Sequence, residues 1–208
     1  HFARRLERMY LQNPDENVAF GLLSDYKDAP VPTLPEDEKI ATALEEAIHL
    51  LNRKYGNHFC LFLRGRSKSP SEKIYMGWER KRGALIELNR FLLGREDRFE
   101  KVILPKGFRN NTAYILTLDA DTDLRIGALR RLYATLKHPY NRPKVKNGVV
   151  VSGYGVLQPR MVTGVDSAGR SPFSALYAGG GGIDSYQNAV FDFYQSVFGR
   201  GAFCGKGI

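Results

Sequence analysis

The sequence has few cysteines and no long apolar run. Its two cysteines, Cys60 and Cys204, lie far apart and belong to no Cys-x-x-Cys or Cys/His group. A disulfide framework and a structural zinc site are therefore excluded as the basis of the fold. No apolar stretch approaches the roughly 20 residues that a membrane-spanning helix needs. We expect a soluble fragment of a larger protein, in a reducing, cytoplasmic setting.

Charge and hydrophobic content are what the sequence does have. Lys and Arg outnumber Asp and Glu by 31 to 22, which gives a formal charge of +9. This excess favours an anionic partner such as a phosphate group, a nucleic acid or a lipid surface, and does not choose among them. The hydrophobic content of 43% is sufficient for the core of one domain.

The N-terminal segment has the pattern of a basic amphipathic helix. Residues 1–12 place Phe2, Leu6, Met9 and Tyr10 on one helical face. Such a helix either packs on the following domain or lies next to a membrane and touches acidic lipid. We assign residues 1–16 to this helix or juxtamembrane segment, and residues 17–208 to one domain that is incomplete at its C-terminus.

Strand and helix patterns alternate along that domain. Strands are predicted at 17–25, 58–64 and 113–119, and a strand or hairpin near 147–158. Helices are predicted at 36–55, 79–94, 125–139 and 183–198, with a glycine-rich loop at 178–182. The alternation predicts an α/β sandwich around a mainly parallel sheet. Ligands in such folds bind at the carboxyl ends of strands, which directs attention to Asp25 and to residues 119–123.

Three carboxylates follow the strand predicted at 113–119. Asp119, Asp121 and Asp123 would repel one another unless a cation compensates their charge. Mg²⁺ or Mn²⁺ suits them, because hard cations prefer carboxylate oxygens and are often completed by substrate phosphates. The alternative is that Asp123 or Thr122 caps a helix that begins near Arg125.

Two enzyme classes place an Asp-x-Asp at a strand end. A haloacid-dehalogenase-type phosphohydrolase would use Asp119 as its nucleophile, but its motif normally opens the domain. In nucleotide-sugar transferases of the GT-A fold the motif comes after a first βα unit that binds the base, and this chain has that order. A basic nucleic-acid-binding module is a third hypothesis, although no nucleic-acid motif supports it.

Six blocks, in order, resemble a known family. They are LLSDYKDAP, MGWERKRGALIELNRFL, YILTLDADT, LKHPYNRP, GYGVLQPR and FGRGAFCGKGI, and the match runs from about residue 18 to the end. Together they are similar to the glucosyltransferase module of cyclic β-1,2-glucan synthases, glycosyltransferase family eighty-four. The resemblance implies a GT-A fold, a UDP-glucose donor, a divalent metal, and inverting growth of a β-1,2-glucan chain.

The resemblance also implies a setting and a set of site residues. The setting is a large membrane-embedded synthase, at the cytoplasmic face of the bacterial inner membrane, with a glucan acceptor and no nucleic acid. No carboxylate of the chain clearly acts as the catalytic base, which is expected beyond residue 208, so the fragment alone should be inactive. Asp184 and Asp192 are internal candidates, but their helical setting favours ordinary surface roles.

The implied donor-site contacts follow the matched blocks. Asp25 and Asp28 would hold uridine or ribose, and Lys81 and Arg82 the diphosphate. Asp121 would bind the metal directly, with Asp119 contacting ribose or a metal-bound water. Gln158 and Arg160 would contact the sugar or the acceptor. The single tryptophan, Trp78, is interpreted as a core residue, with sugar or base stacking as the alternative.

Overall fold

The computed structural model describes residues 1–95, 98–108, 112–157, 159 and 197–198. It divides into two compact units. The first contains His1–Ile115 and Leu124–Gly127, and the second contains Leu116–Asp123 and Ala128–Ile208. Each unit is described separately. The predictions for Gln158, Arg160, Asp184, Asp192 and Cys204, for the glycine-rich loop and for the terminal GRGAFCGKG lie outside the described residues.

The first unit is built around a three-stranded sheet. Strands β1 (Phe20–Asp25) and β2 (Phe59–Arg64) pair in parallel, and β2 pairs in antiparallel fashion with β5 (Phe99–Ile103). Every residue of the central strand β2 is buried, which is why its sequence is apolar almost throughout. The first two predicted strands are confirmed, but the sheet is mixed rather than mainly parallel within the described residues.

Helices cover both faces of this sheet. Because side chains alternate along a strand, Cys60 and Phe62 point to one face and Phe59 to the other. The first pair packs with Leu88 and Phe91 of α3 (Arg80–Leu92). On the other face, Tyr10 of α1 (Phe2–Gln12) contacts Phe59, and α2 (Asp37–Tyr55) also packs there through Tyr55. A short hairpin of β3 (Ser67–Lys68) and β4 (Tyr75–Met76) precedes α3.

The segment predicted as a third strand does not form one. Residues 113–119 have no regular secondary structure, and Tyr114 and Ile115 are 46% and 47% exposed. An apolar sequence becomes a strand only by hydrogen bonding to a neighbouring strand. No strand among the described residues pairs with this segment, so its pattern alone is insufficient.

The second unit contains a helix and a hairpin. Helix α4 (Ala128–Lys137) is followed by a 3₁₀ turn (Pro139–Asn141) and by strands β6 (Lys144–Lys146) and β7 (Val149–Ser152). Asn147 and Gly148 join these strands with φ of +52° and +76°, as a tight two-residue turn requires. Strand β7 confirms a strand within the segment predicted at 147–158, but its partner β6 lies before that segment. Helix α4 begins five residues after Asp123, so neither Asp123 nor Thr122 is its N-cap.

Within residues 1–95, 98–108, 112–157, 159 and 197–198, none of the helices combines the length and apolarity that crossing a bilayer requires.

Candidate functional site

The carboxyl ends of β1 and β2 are joined by an ion pair between buried Arg64 and partly exposed Asp25. Asp25 and Arg64 are register partners at the last positions of the two parallel strands. Arg64 donates from Nε to Oδ1 of Asp25 at 2.6 Å and from Nη2 to Oδ2 at 2.7 Å. A third charge-assisted bond joins Nη1 to Oε2 of Glu87 in α3, at 2.8 Å. One buried guanidinium therefore links two strands to a helix.

The same guanidinium also holds the turn before α3. Nη1 donates to the carbonyl of Trp78 at 3.0 Å and Nη2 to the carbonyl of Arg80 at 2.9 Å. All five N–H donors of Arg64 are thus used, which is the condition for burying a charge at low cost. Burial alone would lower the pKa of Arg64, but its bonds to Asp25 and Glu87 outweigh burial and raise that pKa.

We call residues 77–80 the Trp78 turn. Glu79 and Arg80 have φ of +51° and +49°, in the left-handed region that non-glycine residues rarely adopt. Each such residue costs on the order of 1–3 kcal/mol and persists only where the surroundings enforce it. The two carbonyl bonds from Arg64 supply that enforcement.

Two glycines make room for the Trp78 turn. A Cβ on Gly77 would lie 2.4 Å from Oδ2 of Asp25, and a Cβ on Gly83 would lie 1.8 Å from the carbonyl oxygen of Trp78. Neither position accepts a side chain without movement of its neighbours. The block MGWERKRG, which carries part of the family resemblance, therefore encodes the backbone packed around Arg64.

Trp78 itself lies at the surface. The residue is 37% exposed, so the interpretation of Trp78 as a core residue is wrong. The indole edge approaches Gly83, where a Cβ would meet its Cε3 atom at 2.9 Å.

Asp28 and Arg80 form an exposed pair beside this turn. Arg80 donates from Nη1 to Oδ2 of Asp28 at 2.7 Å and from Nη2 to Oε2 of Glu72 at 2.8 Å. Asp28 is therefore more than a turn residue, since it connects the loop after β1 to the start of α3. Both bonds raise the pKa of Arg80 above its ordinary value.

Lys81 and Arg82 are exposed in the first turn of α3. That turn contains no acidic residue, although Arg82 also contacts Glu79 at 3.1 Å. Cations are unfavourable at the positive end of a helix dipole, and an anion there offsets that cost. The cationic side chains of Lys81 and Arg82 at this helix N-terminus together suit a phosphate.

A second buried arginine fixes the loop after β1. Arg66 donates to both carboxylate oxygens of Asp37, at 2.5 and 2.9 Å, and to the carbonyl of Lys27 at 2.7 Å. Its guanidinium also lies 5.1 Å from the centre of the Tyr26 ring. The hydrogen bond from Arg66 lowers the pKa of Asp37, whereas burial and the bond to Glu100 raise the pKa of Tyr26.

The Asp-x-Asp segment belongs to the second unit. The backbone N–H of Thr122 donates to the carbonyl of Asp119 at 3.0 Å, which makes residues 119–122 a turn. Asp121 is exposed and Asp119 is partly buried. Within the described ranges, no three His, Cys, Asp or Glu side chains form a group able to hold a metal. Carboxylates are suitable ligands for a hard cation, and further ligands would have to complete its coordination.

The predicted site residues are divided between the two units, and the arginine that organises the first group was not predicted. Asp25, Asp28, Lys81 and Arg82 lie in the first unit around the ends of β1 and the start of α3, while Asp119 and Asp121 lie in the second. The organising arginine, Arg64, was interpreted only as the end of an apolar strand. Two sequence features were the available signal. Arg64 directly follows five apolar positions, and Glu87 lies within the apolar face of a helix.

Comparison with known proteins gives one family-level result. No protein-family model matches the chain. The chain is 38% identical, over 215 aligned residues, to cyclic beta-(1,2)-glucan synthase NdvB of Rhizobium meliloti (strain 1021). The alignment covers 99% of this chain and 8% of that enzyme. The chain is therefore related to a small segment of a much longer glucan synthase.

Proposed function

We propose that the chain forms the donor-binding part of a glucosyltransferase. In this proposal, glucose passes from UDP-glucose to a growing β-1,2-glucan chain within a larger membrane-embedded synthase. The observation that carries the proposal is the 38% identity to a cyclic beta-(1,2)-glucan synthase across 99% of the chain. The polar residues at the carboxyl end of β1 and at the N-terminus of α3 support it, because they suit a nucleotide diphosphate. A GT-A-type arrangement of the complete domain is part of the proposal.

The nucleotide is proposed to bind in the first unit. Lys81 and Arg82 would bind the diphosphate by charge-assisted hydrogen bonds at the N-terminus of α3. Asp28 and Asp25 would bind uridine or ribose groups. The side chain of Asp25 is 27% exposed, and each of its oxygens keeps a second lone pair beside the bond to Arg64. Asp25 can therefore serve both its buried partner and a ligand.

The metal is proposed to bind at the Asp-x-Asp turn. Asp121 would ligate Mg²⁺ or Mn²⁺ directly, and Asp119 would contact ribose or a metal-bound water. Phosphate oxygens of the donor would complete the coordination, as is usual for these cations. When bound, the metal supplies positive charge that stabilises the departing diphosphate. Gln158 and Arg160 remain proposed contacts of the sugar or acceptor.

The reaction is proposed to be a single displacement with inversion. An acceptor hydroxyl attacks the anomeric carbon, its proton passes to a carboxylate base, and the bond to UDP breaks. Lys81 and Arg82 stabilise the charge that develops on the leaving diphosphate. Because no carboxylate of this chain is assigned as the base, these 208 residues should bind the donor without transferring glucose. Robust glucan synthesis by this chain alone would contradict that expectation.

Calorimetry with UDP-glucose tests the proposal. Binding should require Mn²⁺ for the wild-type chain and be lost in Asp121→Ala. The Asp123→Ala variant is the matched control, because it removes a carboxylate two residues away and should bind as the wild type does. Equal binding with and without Mn²⁺, or equal losses in both variants, would remove the proposed metal site.

A further inference from the structure

The only tryptophan of the sequence, Trp78, is exposed, so a role in the core does not explain its presence. Trp78 is 37% exposed, although large aromatic side chains contribute most to stability when they are buried. The residue stands between β4 and α3, on the Trp78 turn. An exposed indole of this kind is available to stack on a ring.

The backbone beneath the indole is held in place by several constraints. The carbonyl of Trp78 accepts a bond from buried Arg64, and the next two residues are left-handed. Gly83 lets the carbonyl and the indole edge approach α3 more closely than any side chain would permit. Strained conformations that the surroundings enforce are common at binding sites. Little orientational freedom of this backbone would therefore be lost on binding a ligand.

The polar groups near this turn are arranged in pairs. Arg80 is bonded to Asp28 and Glu72, and Arg82 contacts Glu79. Together with Lys81, these side chains comprise three carboxylates and three cationic groups, so the charge of this part of the surface is balanced. Planar donors and acceptors at fixed spacing suit the hydroxyl groups of a neutral ligand.

We propose that Trp78 is a stacking platform for a glucosyl ring of the glucan chain. One face of the pyranose would lie on the indole, and its hydroxyls would bond to the charged side chains of the same surface. The identity of the sugar rests on the proposed function, whereas the platform rests on the geometry of the Trp78 turn. The ligand class is thus a neutral β-1,2-linked gluco-oligosaccharide.

Intrinsic fluorescence tests this directly, because Trp78 is the sole tryptophan. A linear β-1,2-linked gluco-oligosaccharide is titrated into the 208-residue chain without nucleotide or metal. The emission should change with saturation, and quenching by acrylamide should fall as the ring becomes covered. Calorimetry should show at least a tenfold weaker affinity for Trp78→Ala and a smaller loss for Trp78→Phe, which keeps an aromatic ring. Tyr140→Ala, at another exposed aromatic, should bind normally.

Two results would overturn the platform. One is an unchanged emission and unchanged quenching at saturating oligosaccharide. The other is protection of Trp78 by UDP alone and not by the oligosaccharide, which would assign the indole to the nucleotide base. Metal-dependent binding of UDP-glucose is measured on the same preparation. Its presence without oligosaccharide binding removes only the platform, and the reverse pattern removes only the donor site.

Discussion

Arg64 and Asp25 form a two-bond ion pair at the ends of adjacent parallel strands, with N to O distances of 2.6 and 2.7 Å. The arginine is buried and also bonds to Glu87. The carboxylate that the family resemblance assigns to the donor is therefore oriented by a residue of the neighbouring strand. Stability at this edge, and the donor binding proposed for Asp25, depend on the same contact.

Arg64→Lys should strongly destabilise the first unit. An ammonium cannot reproduce five bonds in a planar arrangement, so carboxylates and carbonyls would lose their partners. Breaking a buried ion pair in this way costs about 3–5 kcal/mol. Urea denaturation at neutral pH measures the change. Arg53→Lys, at an exposed position in the last turn of α2, should leave the free energy of unfolding nearly unchanged.

Gly83→Ala should destabilise the chain, although alanine is normally preferred to glycine within a helix. The new methyl group would lie 1.8 Å from the carbonyl oxygen of Trp78, which is itself bonded to Arg64. Overpacking of this kind costs about 1–3 kcal/mol. The measurement is thermal or urea unfolding, together with a shift in the emission of Trp78.

Gly21→Ala is the control for this effect of Gly83. Its Cβ would meet Phe62 at 3.6 Å, an ordinary contact distance, and Gly21 lies in β1. Its free energy of unfolding should change little. If Gly83→Ala were as stable as Gly21→Ala, the close approach of the Trp78 turn to α3 would be incorrect.

The amphipathic and buried elements were the part of the fold that could be predicted. Helix α2 keeps apolar spacing until Gly56, and β2 is apolar because both of its faces are covered. Strand β5 was missed, because Glu100 and Lys101 interrupt its apolar pattern. The opposite error was made at residues 113–119. Their pattern predicted a strand, but they pair with no strand among the described residues.

The candidate site was predictable only in its outline. The rule that ligands bind at the carboxyl ends of strands indicated Asp25 as a candidate, and the family blocks indicated Lys81 and Arg82. The pairing of Asp25 with Arg64 depends on register between strands that are 39 residues apart. Trp78 is followed by Glu79 and Arg80, which are both left-handed. Glutamate and arginine rarely adopt this conformation, so the sequence does not predict it.

Asp37→Asn should lower stability at neutral pH, and this loss should shrink in acid. Arg66 holds the pKa of Asp37 below its ordinary value of 3.8 in the folded chain. The stabilisation is therefore complete above about 3.8, and it disappears as the pH falls through the lower folded pKa. Urea midpoints of the wild type and the variant, measured from pH 7 to pH 3, test this convergence.

The control for Asp37 is its exposed neighbour. Glu36 contacts Lys27 at 3.5 Å with much of its side chain in water, so Glu36→Gln should have almost no effect at any of these pH values. A difference between wild type and Asp37→Asn that stays constant down to pH 3 would contradict the Arg66 contact.

The thiol of Cys60 should be unreactive until the first unit unfolds. Cys60 is fully buried in a cluster with Phe62, Leu88 and Phe91, and burial raises the pKa of its thiol to about 12. At pH 8 the folded chain then offers neither access nor thiolate to an aromatic disulfide reagent. In a Cys204→Ser variant, labelling should be negligible in buffer and reach one thiol per chain in denaturing urea. Rapid labelling of the folded variant would show that α3 does not cover this face of the sheet, and the Arg64 to Glu87 bond would fail with it.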